Sequence, residues 1–384
     1  MGLMKKKIAL IFPYAKPEAG APIARAVFFT KVLEEKGFET FIIAPAKKGI
    51  DEVENIKRYK GLIGLFTILL KEKPVLAIAS GPPAPLILYT ALFAKILGFP
   101  IIADVRDPWV KAKLAIGLLK ENSFKYKLQR RIEYIAYKLS CRIFAVSEAI
   151  EKEIEELGIK KEKIRVIEHA VDIKNFRRVQ SEGEKVRKEF GIGKRPVLIF
   201  VGSPWVGVET MIENIAKLLK EKNAFLLLIL SKSASDSEQI FSKIHNAIKK
   251  GGLEKDSKII FNVPHKELFK YLSAADIGLN IIPSGLNYLI SNKIKEYIAC
   301  GVPVSCKCDA ACYSKNFIES KGIGVVSTSW EAFSERTKCL IGSNELKKLR
   351  KQALKISKEF SYERIGNKVL EEIESILENK SSCY

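Results

Sequence analysis

The chain has 384 residues, 47% of them hydrophobic, and carries a formal net charge of +21 at neutral pH. This length allows two or three domains, and the apolar fraction excludes a chain that is disordered throughout. The charge predicts acidic partners: phosphorylated ligands, nucleic acid or an anionic membrane face.

The cysteine pattern and the start of the chain predict a reduced, cytoplasmic setting without a metal. Seven cysteines are scattered without a CxxC pair, and no secretory leader precedes the first strand. Cys306, Cys308 and Cys312 are close in sequence, but their spacing does not match that of zinc ligands. The apolar run over 86–102 is interrupted by charged and helix-breaking residues, so it predicts no membrane span. Abundant lysine and glutamate with scarce glutamine are typical of thermophile proteins.

The first half of the chain predicts a parallel α/β sheet. A buried strand over 6–13 precedes a loop with Gly20, then a helix over 23–36 and a strand over 38–44. The loop lies at the carboxyl end of the strand, where open α/β sheets bind ligands, although no GxGxxG motif supports a dinucleotide. The further elements predicted in this half are helices over 56–71, 86–97 and 148–157, and strands over 75–79, 100–103, 142–147 and 164–167.

Charged residues follow the strand over 100–103. Arg106 offers a planar fork for phosphate or carboxylate and stands next to Asp107 and close to Asp104. The alternative is an internal Arg106–Asp104 salt bridge that only holds the loop.

The segment 111–142 carries nine basic and two acidic residues at helical spacing with apolar ones. Such a basic amphipathic helix predicts contact with an acceptor or a membrane surface, here through Lys125, Arg130 and Arg131. A solvated helix face is the equal alternative. Nucleic acid ranks last, because no nucleic-acid module is present.

The second half repeats the α/β pattern after a charged, glycine-containing linker over 179–195. Its predicted strands cover 197–201, 225–230, 258–262 and 277–282, and its predicted helices cover 209–220, 236–249, 267–274 and 362–379. Two such halves predict a ligand cleft between facing carboxyl edges.

The stretch 291–304 predicts a short helix, a glycine stop and a strand. Ile294, Tyr297 and Ile298 share one helical face, and Lys293 and Glu296 share another. The helix start favours anions, and the carboxylate suits a sugar diol, but a surface helix with a Lys–Glu pair has the same pattern.

Several of these segments together resemble the GT-B glycosyltransferases of family four. The similar stretches are VSEAIEKEIEELGIKKEKIRVIEHAVDIKNF (146–176), ELFKYLSAADIGLNII with SNKIKEYIACGVPV, and the closing FSYERIGNKVLEEIESIL (360–377). SGPPAP with IIADVRDPW resembles a subgroup that makes surface polysaccharides and lipid-linked glycans. The resemblance implies Rossmann-like domains over 1–178 and 196–361 that face each other across a cleft, with 362–384 crossing back onto the first.

The resemblance also implies roles for individual residues. Glu296 would hold the donor ribose, and Arg106 and Asp107 would be catalytic residues beside the transferring sugar. The other residues implied in nucleotide-sugar binding are Lys293, Asn292, Ser291, Gly20, Gly202, Lys232 and Tyr288.

Three departures from the family pattern qualify these roles. Tyr288 replaces a glutamate that contacts the donor sugar, and the loop 202–207 lacks the usual Arg and Lys. Lys232 or Arg25 would then have to clamp the diphosphate. His169 starts a sequence that is Asn-Gly-Val-Asp in the family, where it is either a polar cleft residue or a plain loop histidine.

The resemblance therefore predicts a retaining transferase with no cofactor, which uses a UDP- or GDP-linked sugar and a glycan or lipid-linked acceptor at the inner face of a membrane. Two alternatives stay open. One is a catalytically inactive relative that binds glycans or partners, and the other is a sugar-nucleotide epimerase on the same fold.

Overall fold

The structure is a computed structural model that describes residues 6–16, 21–47, 55–115, 117–231 and 238–379. It divides into two units: residues 1–170 with 362–384, and residues 171–361. Each unit is built on a parallel sheet.

The first unit contains a seven-stranded sheet in the order β3-β2-β1-β4-β5-β6-β7. Its elements are β1 (Lys7–Ile11), α1 (Ala21–Glu35), β2 (Glu39–Pro45), β3 (Ile56–Tyr59), α2 (Gly61–Glu72), β4 (Leu76–Gly81), α3 (Ala84–Leu97), β5 (Ile101–Val105), α4 (Trp109–Ala115), α5 (Phe124–Leu139), β6 (Arg142–Ala145), α6 (Glu148–Glu156) and β7 (Ile164–Val166).

Helices cover both faces of this sheet because its central strands are apolar on both sides. Ala9 and Ile11 of β1 pack in one core with α2, α3, α5 and α6, whereas Ile8 and Leu10 pack in the other with α1. The closing helix of the chain, Tyr362–Glu378, also buries its apolar stripe in this second core. Its Gly366 fits closely, since an added Cβ would lie 3.0 Å from Val32.

The second unit contains a six-stranded sheet in the order β10-β9-β8-β11-β12-β13. Its elements are α7 (Gln180–Glu189), β8 (Val197–Gly202), α8 (Val208–Glu221), β9 (Phe225–Leu230), α9 (Glu238–Gly251), β10 (Ser257–Phe261), α10 (Leu268–Ala274), β11 (Ile277–Ile281), α11 (Asn292–Ala299), β12 (Val304–Lys307), α12 (Tyr313–Lys321), β13 (Gly324–Ser327), α13 (Trp330–Leu340) and α14 (Asn344–Ser357). The closing helix of the first unit follows them in the chain as α15. Two parallel Rossmann-like sheets with carboxyl-terminal helices confirm the predicted fold class.

The predicted linker over 179–195 differs from the structure, which places α7 there as part of the second unit. The helix packs closely on α10, because a Cβ on Gly183 would lie 2.5 Å from the Ser273 carbonyl oxygen. Its Arg187 also binds Asp276 at 2.8 Å. These partners lie almost a hundred residues downstream, so the local composition does not reveal them.

Two further predictions are corrected. The start of the helix predicted over 56–71 is strand β3, which pairs in parallel with β2, so sheet pairing overrides the local helical pattern. The segment 111–142 forms two helices, α4 and α5, instead of one. No helix of the described residues is long and apolar enough to cross a membrane.

Candidate active site

Each sheet has one point where the strand order reverses, and ligands of open α/β sheets bind at the carboxyl ends of those strands. In the second unit the reversal lies between β8 and β11, and in the first between β1 and β4. Glu296 follows β11 on helix α11, whereas Arg106 follows β5, the neighbour of β4. The sequence-predicted residues therefore collect at the expected edges.

Helix α11 is held against its sheet by the face that the sequence predicts. Ile294, Tyr297 and Ile298 have no exposed surface. The Tyr297 hydroxyl accepts a hydrogen bond from the Val201 N–H at 2.9 Å and donates one to the Leu279 carbonyl at 3.1 Å. This one side chain thus ties α11 to both strands of the reversal point.

Glu296 lies on the other face as a buried, ionised carboxylate. Its side chain is 9% exposed, and its Oε2 lies 3.1 Å from Lys293 Nζ. Burial by itself raises the pKa of Glu296, but Lys293 and His265 outweigh it and hold the pKa below its usual value. Lys293 is thus ion-paired with Oε2 and donates a hydrogen bond to Oε1 at 3.4 Å, whereas no described residue makes a hydrogen bond of good geometry to Oε2.

Asn292 adds a second acceptor beside Glu296. Its Oδ1 is also buried without a hydrogen bond from any described residue. Residues four apart lie on the same side of a helix, so the two acceptors lie next to each other near the start of α11. Ser291, which precedes the helix, makes no side-chain cap. Buried acceptors without donors are rare, and together they indicate a place for a ligand that donates hydrogen bonds.

His265 is a site residue that the sequence analysis missed. Its Nε2 lies 2.9 Å from Glu296 Oε1, and its ring stacks on Phe176 with the centroids 5.2 Å apart. Phe176 closes the stretch 146–176 that carries the family resemblance. The sequence marks this position only by the turn at Pro264 before α10. No residue near that turn indicates that His265 pairs with a carboxylate thirty-one residues away.

For the remaining residues predicted at the donor site, the structure gives a position and a degree of burial but no contact with Glu296. Gly202 is the partly exposed last residue of β8, and Tyr288 is buried with 6% exposure in the loop before α11. Gly20 and Lys232 lie outside the described residues.

At the carboxyl end of β5, Asp104 is fully buried and bound to Arg25 rather than to Arg106, so the alternative of an Arg106–Asp104 salt bridge is wrong. Arg25 Nε and Nη2 reach Asp104 Oδ1 at 3.1 and 2.8 Å. Asp104 Oδ2 accepts from the Ser80 hydroxyl at 2.8 Å. Arg25 also donates to the carbonyls of Ile167 and Glu168. With 1% exposure and its nitrogens engaged, Arg25 cannot be the diphosphate clamp that the sequence suggests.

Arg106 and Asp107 lie beside this pair. Arg106 Nε donates to Ser80 Oγ at 3.1 Å, and Nη2 donates to the Pro82 carbonyl at 3.3 Å. Burial raises the pKa of Asp107 to about 6, although the Arg106 charge opposes the shift. The edge therefore presents a fixed cation beside a carboxyl group that titrates near neutral pH.

The three basic residues predicted to contact an acceptor or a membrane differ in their exposure and in their ion pairing. Arg130 pairs with the buried Glu133 at 3.5 Å. Lys125 and Arg131 are exposed, and Arg131 lies over the Tyr134 ring at 5.6 Å from its centroid.

The three clustered cysteines are fully buried. Hydrogen bonding to Cys306 raises the pKa of Cys308 to about 12, so this thiol stays protonated. In the described part of the chain, no group of histidine, cysteine and acidic residues has the geometry of a metal site.

Comparisons with known proteins agree with this geometry. Residues 26–175 match the family model of Glycosyltransferase Family 4, and residues 195–343 match that of Glycosyl transferases group 1. No curated protein matches the sequence at a significant level.

Solved structures with the same fold cover almost the whole chain. Anabaena HepE, solved in complex with UDP, has 17% identity and a TM-score of 0.75, covering 96% of this chain and 100% of its own. A glycosyltransferase from Rickettsia africae has 17% identity and a TM-score of 0.76, covering 98% of this chain and 100% of its own. UDP-GlcNAc 2-epimerase from Methanocaldococcus jannaschii has 16% identity and a TM-score of 0.60, covering 97% and 100%. At these identities the structures show the fold alone.

The two family matches follow one another along most of the chain, on the two sheets of the GT-B fold. The protein is therefore an enzyme of the glycosyltransferase class, with a Family 4 segment followed by a group 1 segment.

Proposed function

We propose that the protein transfers a sugar, with retention, from a nucleotide-sugar donor to a lipid-linked or polysaccharide acceptor at a membrane surface. One observation carries the donor part of this proposal. Glu296 is buried and ionised at the strand-reversal point, yet its Oε2 receives no hydrogen bond from the described residues.

A ribose supplies what this carboxylate lacks. Its two neighbouring hydroxyls donate in parallel, and hydrogen bonds to a charged acceptor are about twice as strong as neutral ones. Lys293 and His265 keep the acceptor charged and fix its direction. The nucleoside end of the donor is therefore assigned to Glu296, with Asn292 as a second acceptor beside it.

The diphosphate is assigned to the neighbouring helix starts. Helix α11 begins without a side-chain cap, and Lys293 in its first turn adds a full charge. Helix α8 begins at the carboxyl end of β8 after Gly207, whose φ of 94° turns the chain into the helix. Backbone N–H groups at both starts replace the Arg and Lys that the loop 202–207 lacks. The UDP bound in the HepE structure supports a UDP-linked donor over a GDP-linked one.

The acceptor side is assigned to Arg106 and Asp107, whose motif resembles the subgroup that makes polysaccharides and lipid-linked glycans. Arg106 is fixed by Ser80 and Pro82, so it supplies a positive charge without reorganisation. Lys125 and Arg131, which are exposed, are the candidate contacts to the acceptor or to the membrane.

A catalytically inactive, ligand-binding protein is the second candidate. It is favoured by Tyr288, which is buried in the position of the family's sugar-contacting glutamate. An epimerase is the third, since a UDP-GlcNAc 2-epimerase shares the fold. Product analysis separates the three: transfer gives a glycosylated acceptor, epimerisation gives free nucleotide and an epimerised sugar without any acceptor, and an inactive protein gives neither.

Calorimetric titration with UDP, GDP and their sugars tests the donor site. Loss of a hydrogen bond to a charged group costs about 1.5–3 kcal/mol, so Glu296→Gln should weaken binding about 10- to 100-fold. The matched control is Glu221→Gln, which removes a surface carboxylate paired with Lys338 in the same unit and should leave affinity unchanged. Equal binding by wild type and Glu296→Gln would remove the assigned site.

A further inference from the structure

Three arginines meet one carboxylate at the amino edge of the second sheet. Asp276 lies directly before β11, and its two oxygens bind two of them. Oδ2 lies 2.8 Å from Arg187 Nη2, and Oδ1 lies 3.2 Å from Arg350 Nη2. Arg178, just before α7, donates from Nη1 to the carbonyl of the neighbouring Ala275 at 3.1 Å. We call these three side chains the arginine group.

The arginine group lies at the other end of the strands that lead to the donor site. Val197 begins β8, and its N–H donates to Asp276 Oδ2 at 2.9 Å. Strands β8 and β11 are parallel, so their amino ends meet at this edge, whereas Glu296 follows the carboxyl end of β11. The six residues of β8 rise about 20 Å. The arginine group is therefore separate from the donor site.

The charges at this edge do not balance. Guanidinium groups stay protonated in proteins, and in the described part of the chain the one ion-pair partner of the arginine group is Asp276. Burial keeps the nearby Cys300 thiol neutral, because it raises the pKa of that group. Cys300 ends α11, whose dipole supplies only about half a negative charge. About 1.5 positive charges therefore stay uncompensated.

The environment of Arg178 agrees with this excess. Burial lowers the pKa of Arg178, and the charges of Arg350 and Arg187 lower it further. Asp276 opposes only part of the shift. A further anion beside Arg178 would stabilise its charged form.

Two members of the arginine group also keep unused donors. Both terminal nitrogens of Arg187 are engaged with backbone carbonyls or with Asp276. In contrast, Arg178 and Arg350 each make one hydrogen bond with the described residues, although a guanidinium can donate five. Arg350 Nε is buried and donates to no described residue. Buried donors without acceptors are rare, so these groups indicate a place for an acceptor.

We propose that Arg178 and Arg350 bind a phosphate group, free or esterified, at this edge of the second unit. Their present partners, Ala275 and Asp276, are adjacent residues, so one anion can reach both guanidinium forks. A phosphate offers several acceptor oxygens for such forks, and its charge of nearly two matches the excess. Chloride or a carboxylate would bring a single charge. The site does not depend on the proposed sugar transfer.

Calorimetric titration of the full chain tests the site. Inorganic phosphate and glycerol 3-phosphate are the two ligands, and they distinguish a free phosphate from a phosphate ester. Loss of a hydrogen bond to a charged group predicts that Arg350→Gln and Arg178→Gln each raise the Kd at least about tenfold. The matched control is Lys250→Gln, which removes one positive charge from an exposed pair with Glu213 and should leave the Kd unchanged.

A second control separates this site from the donor site. Lys293→Gln removes the cation in the first turn of α11 and should leave the phosphate Kd unchanged. A loss with Lys293→Gln as large as that with Arg350→Gln would assign the phosphate to the donor edge and overturn the proposal. So would wild-type protein that binds neither ligand, or equal Kd values for wild type and Arg178→Gln.

Thermal unfolding distinguishes a binding role from a purely structural one. Phosphate should raise the wild-type Tm above its value in chloride at equal ionic strength, and Arg178→Gln should abolish that rise. In chloride, Arg178→Gln should change the Tm by no more than about 2 °C, because it removes repulsion together with one hydrogen bond. The pair of Asp276 with Arg350 stays intact in this variant. A large fall in Tm that is equal in phosphate and in chloride would show that Arg178 only holds the fold.

Discussion

The two units each hold a buried carboxylate at the carboxyl edge of a sheet, but they use it differently. In the first unit, Asp104 receives hydrogen bonds on both oxygens, from Arg25 and from Ser80. In the second, Glu296 Oε1 is hydrogen-bonded to His265 and Lys293, and Oε2 is ion-paired with Lys293 at 3.1 Å but receives no hydrogen bond from the described residues.

On our proposal, this difference separates a group that holds the fold, Asp104, from a group that binds a ligand, Glu296. A buried charge is costly unless it is paired and hydrogen-bonded. Asp104 meets that condition within the protein, so its contribution is to stability. Glu296 is paired with Lys293 and hydrogen-bonded at Oε1, but Oε2 receives no hydrogen bond from the described residues, so we assign its contribution to binding.

Loss of Asp104 should be the most damaging change. Asp104→Ala leaves Arg25 buried without its anion, and removal of one partner of a buried pair costs about 3–5 kcal/mol in free energy of unfolding. Denaturant unfolding measures the change. The control is Lys321→Met, which breaks a half-exposed pair with Glu359 and should cost about 0–1 kcal/mol. Equal losses in the two variants would contradict the structural role of Asp104.

Asp107 sharpens the contrast because it lies three residues from Asp104 and, among the described residues, has no ion pair like the one between Asp104 and Arg25. Burial raises its folded-state pKa from 3.8 to about 6. The folded state then holds the proton more tightly than the unfolded state, so its contribution to stability is complete below about pH 4 and is lost as pH rises through 6.

The free energy of unfolding of the wild type should therefore fall relative to Asp107→Asn by about 1–3 kcal/mol between pH 4 and pH 7. Unfolding curves of both proteins across this range provide the measurement. Parallel pH profiles of the two proteins would show that Asp107 titrates normally.

His265 should have the smallest effect, and on affinity rather than stability. His265→Phe keeps a ring that can stack on Phe176 but loses the hydrogen bond to Glu296. A single hydrogen bond of about 0.5–1.5 kcal/mol predicts a two- to tenfold weaker nucleotide affinity by calorimetry. The control is His245→Phe on α9. Among the described residues, the His245 ring has one hydrogen-bond partner, the carbonyl of Phe241 in its own helix. If the two variants bind equally well, His265 does not position Glu296.

The sequence predicts most of what depends on local patterns. The apolar face of α11, its Lys293–Glu296 pair and the repeated strand–helix order are all visible as periodicity, and the structure confirms them. Hydrophobic spacing needs no knowledge of distant partners, so such features can be derived from the residues alone.

The sequence does not predict pairings between distant segments. Arg25 and Asp104 are 79 residues apart, whereas the local sequence offers only Arg106 as an alternative partner of Asp104. His265 reaches Glu296 only because the chain crosses from the edge strand β10, past β9 and β8, through α10 to β11, which precedes the helix that carries Glu296. Strand β3 likewise depends on pairing with β2 rather than on its own composition.

The most direct test of the account removes the proposed hydrogen bond once from the protein, at Glu296, and once from the ligand, at the ribose hydroxyls. Calorimetry would compare the best-binding nucleoside diphosphate with its 2′,3′-dideoxy analogue, on wild type and on Glu296→Gln, as a double-mutant cycle. The account predicts that the wild type prefers the diol at least tenfold and that the preference falls to about twofold in Glu296→Gln. A preference that is unchanged in Glu296→Gln, or absent in the wild type, would show that this carboxylate does not hold the ribose.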